Sequence, residues 1–264
     1  KSGTYNGDVD KQMKKVIEYF VTKQAAAEIY VGTDYKETSI SSNVYKIIRN
    51  CQLQGGLAIA CGDAGIGKTQ ACRQYYREHG TNCIYITVNP CIKSSKSVLE
   101  LIGSKLNVSS GSVSRLWLEI SSKLSDGMVI IVDEAQHLTR NAIDTLRSLC
   151  DCFDEKGQTL GICFVGNETT VSRLGGKQKA EFAQIRNRTK NTRFYSVKQI
   201  KKSDIEMLFP DIREDTAAVE FLLCIAQSPQ AIRGAVNLYS NALDNGNVTA
   251  KGLSAIAKYM DMAV

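Results

Sequence analysis

The run LAIAC (57–61) passes without a break into GDAGIGKT (62–69), an apolar, β-rich segment feeding a glycine loop that ends in Lys-Thr. No other feature of the chain restricts its fold so tightly. The pattern G-x-x-x-x-G-K-[ST] takes Gly62, Gly67, Lys68 and Thr69, and it carries chemistry where a strand enters the loop and a helix leaves it. Helical spacing over 67–79 supplies that helix. The glycines let backbone N–H groups wrap a phosphate chain, and the helix N-terminus adds its dipole. Lys68 can span the outer phosphates, and the Thr69 hydroxyl can ligate Mg²⁺. The expected nucleotide-contacting set is Gly62, Asp63, Ala64, Gly65, Ile66, Gly67, Lys68, Thr69 and Gln70, with Asp133 added below.

A glycine-rich turn with a chance lysine is the bland alternative, and a second element weighs against it. The apolar run MVIIV (128–132) ends in Asp133 and Glu134, 65 residues beyond Lys68 (133 − 68). A strand ending in two acids places both at the carboxyl edge of a sheet, where α/β proteins bind ligands. Asp133 is expected to hold the Mg²⁺ through water, and Glu134 to orient and deprotonate an attacking water. The next apolar run, LGICFV (160–165), leads into GNET, which brings Asn167 to the same edge as a candidate sensor of the water or the γ-phosphate.

Further continuous apolar runs at 83–88 and, more weakly, 192–197 complete a set of five strands. Helical spacing lies between them, at 95–106, 112–124 and 141–153. Alternation of this kind makes an α/β fold with a parallel five-stranded sheet flanked by helices. After residue 201 the strand signals stop and apolar periodic stretches follow, which predicts a small all-helical subdomain over 201–264 behind a nucleotide-binding domain over 25–200. SISSN (39–43) predicts the start of a helix capped by Ser42 or Asn43.

With 43% apolar and 23% charged residues and no apolar run near the ~18 residues of a membrane span, a membrane role is disfavoured. Nine cysteines with no CxxC pair predict reduced, small core residues, Cys61, Cys83, Cys163 and Cys224 among them, and hence a cytosolic protein. The net charge of +6 is concentrated: residues 173–202 hold ten Lys/Arg and one acid, whereas 203–264 hold four and eight. FAQIRNRTKNTR (182–193) alone has four cations and no anion.

The glycine loop, the Asp-Glu strand, the Asn after the next strand and the helical C-terminal part together resemble the AAA+ ATPases, whose active sites are completed between neighbouring subunits. This resemblance implies ATP and Mg²⁺ as cofactors and Arg188, in FAQIRNR, as the finger that reaches a neighbour's γ-phosphate, with Arg186 second. It also implies a sensor role for Arg233 in SPQAIRGA. Within that class CGDAGIGKT, VIIVDEAQHL, LGGKQKAEFAQIRNR and YNGD (5–8) are similar to the bacteriophage Mu B transposition protein family; DEAQHL also occurs in transposon C-protein and insertion-sequence helper ATPases. The family resemblance implies double-stranded DNA, a transposase and further copies of the same chain as partners, in ATP-dependent helical filaments with little sequence preference. It implies too that residues 1–24 are the remnant of a helix-turn-helix domain and its linker, with Val9 to Phe20 as the last helix. Phosphate contacts of this kind come from Lys and Arg, and the candidates are Lys93, Lys96, Lys105, Arg140, Lys177 and Lys179. A helicase-loader or replication-initiation ATPase is the alternative function. A nucleotide-gated scaffold that does not hydrolyse is a second, which the presence of Glu134 and Arg188 opposes.

Overall fold

The computed structural model describes residues 9–28, 35–170 and 189–262, without the side chains of 9–11 and 22–28. Lys177, Lys179, Arg186 and Arg188 lie outside the described residues. Five strands, β1 (Gly56–Gly62), β2 (Cys83–Thr87), β3 (Met128–Asp133), β4 (Leu160–Gly166) and β5 (Thr189–Tyr195), form one parallel sheet in the order β2-β3-β4-β1-β5. Helices α2 (Ser39–Gln54) and α3 (Lys68–His79) pack on one face, with α7 (Lys202–Leu208), α8 (Thr216–Ala226), α9 (Ala231–Asp244) and α10 (Ala250–Tyr259) continuing that core. Helices α4 (Ser95–Lys105), α5 (Val113–Lys123) and α6 (Arg140–Glu155) cover the other.

Alternation along the central strands explains their unbroken apolar runs. Ala58, Ala60, Val129, Ile131, Cys163 and Val165 face the first core, while Leu57, Ile59, Ile130, Val132, Ile162 and Phe164 face the second. Successive side chains of a strand point to opposite faces, so a strand covered on both sides must be apolar throughout. β5 is different: it pairs with β1, and Lys190, Thr192, Arg193 and Phe194 are exposed, which is why its apolar signal is weak.

Strand order and register build the functional edge. Thr87 pairs with Asp133, Val132 with Phe164, and Cys61 with Gly166. The carboxyl ends of β1, β3 and β4 therefore lie side by side, with the loop after β1 flanked by the ends of β4 and β5.

Helix starts follow capping chemistry. Thr38, Ser94, Ser112, Thr139, Asp215 and Thr249 each accept a hydrogen bond from a first-turn N–H, capping α2, α4, α5, α6, α8 and α10. Thr38, rather than Ser42 or Asn43, caps α2. The buried stripe of α2 begins at Ile40 and continues through Val44, Ile47 and Ile48, so the cap must precede it. The cysteines are all free, but Cys224 and Cys91 are exposed and Cys152 is half-buried. Cys224 sits on α8, a helix so apolar (TAAVEFLLCIA) that periodicity does not mark which face turns outward. Among the described residues no helix is long and apolar enough to cross a membrane. α1 (Val9–Glu28) exposes Met13, Val16, Ile17, Tyr19, Phe20 and Val21.

One buried acid ties the C-terminal helices to the sheet domain. Asp204, 3% exposed, accepts from Ser39 N (2.7 Å), Ser39 Oγ (2.7 Å) and Lys201 N (2.9 Å). Asp204→Ala strands these donors, and an unsatisfied buried group costs about 1–3 kcal/mol. The expected loss is about 3 kcal/mol, read as a lower urea midpoint at unchanged slope; an unmoved midpoint contradicts the assignment.

Candidate active site

The loop 62–67 takes its shape from its neighbours. A Cβ at Gly62 would lie 2.1 Å from the Tyr195 carbonyl oxygen of β5, so only glycine lets the two strands' ends meet. Asp63 then binds the same strand end: its N–H donates to Tyr195 O (3.0 Å), and its carboxylate accepts from Val197 N (2.8 Å). Asp63 thus fixes the loop through its side chain instead of presenting that side chain to phosphate. Ile66 is fully buried and anchors the loop from below. Gly65 (φ +76°) and Gly67 (φ +97°) adopt the left-handed conformation, in which a side chain is strained. α3 starts directly at Lys68. Its first-turn N–H groups have no carbonyl a turn earlier, which makes them donors for an anion. Ala64 and Gln70 are exposed at this mouth.

The Lys68 ammonium donates to Gly62 O (2.9 Å) and Asp63 O (2.6 Å), carbonyls of the loop itself. Burial pushes its pKa down, with Asp133 and Glu134 opposing. Thr69 Oγ1 donates to Asp133 Oδ2 at 2.9 Å, joining the glycine loop to the end of β3. Asp133 is 2% exposed and accepts also from Tyr85 OH (3.0 Å) and Glu134 N (2.9 Å). Burial raises the pKa of its carboxyl, and the hydrogen bonds from Thr69, Glu134 N and Tyr85 oppose the rise. A buried carboxylate against a hydroxyl is the hard oxygen donor set that Mg²⁺ prefers, so Thr69 and Asp133 fit that ion.

Glu134 is exposed, and its backbone is left-handed (φ +57°, ψ +33°), a sparsely populated conformation for a residue with a Cβ. Such strain clusters at functional sites. Its carboxylate accepts from the Gln136 amide, whose oxygen accepts from Asn167 N at 3.3 Å. The Asn167 side-chain oxygen accepts from Thr169 N (3.0 Å) and Thr169 Oγ1 (2.6 Å), capping the turn that follows β4.

The C-terminal helices reach the glycine loop directly. Arg233 N donates to Gly65 O at 3.2 Å. A Cβ at Gly65 would come 3.2 Å from Ala231 Cβ and from Arg233 Cβ, and Ala231 itself has φ +55°. The structure thus brings Lys68, Thr69, Asp133, Glu134, Asn167 and Arg233 to one edge.

The candidate DNA cations separate. Lys93 and Arg140 share that edge, where Thr139 N donates to Lys93 O (3.0 Å), and Lys96 stands in the first turn of α4. Lys96 pairs with Glu100 and Arg140 with Asp144, each at 3.9 Å. Lys105 ends α4 and lines a hollow with Tyr76, Gly80 and Met128, where β2 and β3 begin, so it belongs to the opposite end of the sheet. Reasoning from sequence passed over Tyr85, Gln136 and Asp204. The amide in DEAQHL, two residues after the acid, was the available signal for Gln136.

Residues 51–174 match the AAA domain family. In fold the chain is similar to the ORC2 protein of Aeropyrum pernix (TM-score 0.58, 13% identity, 83% of this chain and 66% of that one). It is likewise similar to the RuvB Holliday junction branch migration motor of Thermotoga maritima (TM-score 0.51, 16% identity, 83% of this chain and 68% of that one). Fold and site together define a P-loop ATPase of the AAA class. Along nearly its whole length the chain is similar to the ATP-dependent target DNA activator B of Escherichia phage Mu: it is 28% identical to it over 256 residues, covering 94% of this chain and 77% of that protein. The Mu-like prophage FluMu DNA transposition protein B of Haemophilus influenzae is also 28% identical, over 89% of this chain and 82% of its own length.

Proposed function

We propose that the chain is a transposition ATPase that binds double-stranded DNA in the ATP state with little sequence preference, assembles on it as a helical filament, delivers it as target and activates a transposase. The similarity over 94% of the chain to a protein named for target DNA activation carries this reading. Lys93, Lys96 and Arg140, together at the nucleotide edge, are the cations best placed to let DNA and nucleotide sense one another. Lys177 and Lys179 remain candidates from sequence. The proposed setting is the cytosol of a bacterium or of a phage-infected host.

In hydrolysis, Glu134 accepts a proton from water as the water oxygen bonds to the γ-phosphorus. The bond from that phosphorus to the β–γ bridging oxygen breaks, and ADP leaves with the electron pair. Lys68 offsets charge on the outer phosphates, Asn167 orients the water, Arg188 of an adjacent copy faces the γ-phosphate, and Arg233 couples nucleotide to the C-terminal helices. Mg²⁺ held by Thr69 and Asp133 supplies further charge neutralisation. Phosphate release measured with and without random-sequence duplex tests the coupling. Duplex is expected to raise turnover several-fold at low salt and less at high salt; turnover indifferent to duplex overturns the DNA reading.

A further inference from the structure

We infer that Gln136 is a positioning residue for the reaction: it holds the Glu134 carboxylate and ties it to the edge of β4 beside Asn167. The inference rests on the reading of Glu134 as the base.

The chain makes this link by a tight return. β3 ends at Asp133, Glu134 turns in the left-handed conformation, and a 3-10 turn over Ala135–His137 follows, closed by His137 N donating to Glu134 O at 3.0 Å. Ala135 and Leu138, 2% and 1% exposed, pin this turn to the core. The backbone of Glu134 is thereby fixed, whereas its side chain stands exposed with free torsions of its own.

Gln136 limits those torsions. Its side chain crosses the end of β4 above Gly166, where a Cβ would come 2.5 Å from Gln136 Oε1 and 2.2 Å from Thr170 Oγ1. Glycine at 166 is what makes room for the crossing. One end of the amide accepts from Asn167 N (3.3 Å) and the other donates to Glu134 Oε2. The orientation of the amide is fixed by chemistry, because an N–H requires an acceptor and a carboxylate requires a donor. Only an amide offers both at the two ends of one short planar group. With Oε2 engaged, Oε1 of Glu134 is left for the water. Any shift of the β4 edge at Asn167 passes to the base through two hydrogen bonds.

Two variants separate positioning from mere packing. Gln136→Met keeps the length and loses both polar ends. Gln136→Glu keeps the acceptor for Asn167 N but sets a second carboxylate against Glu134; among the described residues, Lys68 and Asp133 interact electrostatically with Glu134 and stay unchanged. In Gln136→Met, kcat is expected to fall about 10- to 100-fold with KM for ATP and nucleotide Kd within about twofold of wild type, since misplacing a reacting group by an ångström can cost about 100-fold. In Gln136→Glu, which removes the donor to Glu134 and puts a like charge in its place, kcat is expected to fall at least as far as in Gln136→Met, again with nucleotide Kd within about twofold of wild type. Wild-type kcat in either variant, or loss of kcat only together with nucleotide binding, would overturn the inference. Glu134→Gln run in parallel distinguishes the premise: if it turns over like wild type, Glu134 is not the base, whatever the Gln136 variants do.

Discussion

Glu134→Gln is expected to lower ATP turnover by about 10²- to 10⁴-fold, the usual contribution of a positioned general base, while ATP still binds with near wild-type affinity. The amide is isosteric with the carboxylate and its oxygen still accepts from Gln136, so the shape of the site persists. What is lost is the lone pair that takes the proton of the attacking water. The groups proposed to grip the phosphates, Lys68 and the first-turn N–H groups of α3, are on a different element from Glu134. Single-turnover phosphate release and a fluorescent-nucleotide titration on the same preparation check this. Turnover within a few-fold of wild type, or loss of turnover and affinity together, contradicts the role.

Arg188→Ala is expected to be as damaging, about 10³- to 10⁵-fold in turnover if the guanidinium is the finger that meets transition-state charge. As the residue before Thr189, Arg188 is expected to act on another copy. Thr189, its bonded neighbour, pairs with Leu57 where β1 starts, while Tyr195 pairs with Gly62 at the glycine loop. Six residues of strand separate the two ends, about 20 Å at 3.3 Å per residue, so the start of β5 is far from its own phosphate site. Mixing subunits gives the decisive form of the test. An Arg188→Ala subunit keeps its own Glu134, and a Glu134→Gln neighbour can lend it Arg188, so the mixture is expected to recover part of the turnover that each variant lacks. A mixture as inactive as its components contradicts a shared site.

Placement that depends on adjacent residues was legible in the sequence. The five strands announce themselves because strands buried on both faces need unbroken apolar runs, and the site acids and Asn167 stand out because each terminates such a run. Strand order was not legible: that β1 lies between β4 and β5 is decided by crossovers and packing between distant segments. Pairings across the chain were equally hidden, as with Asp204 and Ser39, 165 positions apart. Local rules failed where tertiary burial decided the outcome. Ser42 and Asn43 are sound caps by type, but the buried stripe of α2 begins before them. Lys96 and Lys105 looked alike as cations on one helix, yet nine residues of helix place them about 14 Å apart and toward opposite ends of the sheet.

Control of DNA binding by nucleotide state is tested by fluorescence anisotropy of a labelled random-sequence duplex titrated with the protein in ATP plus Mg²⁺ and in ADP plus Mg²⁺, at two salt concentrations. Binding is expected to be tight, cooperative and salt-sensitive in ATP and to be lost in ADP. Equal binding in the two nucleotides, or none in either, would contradict it.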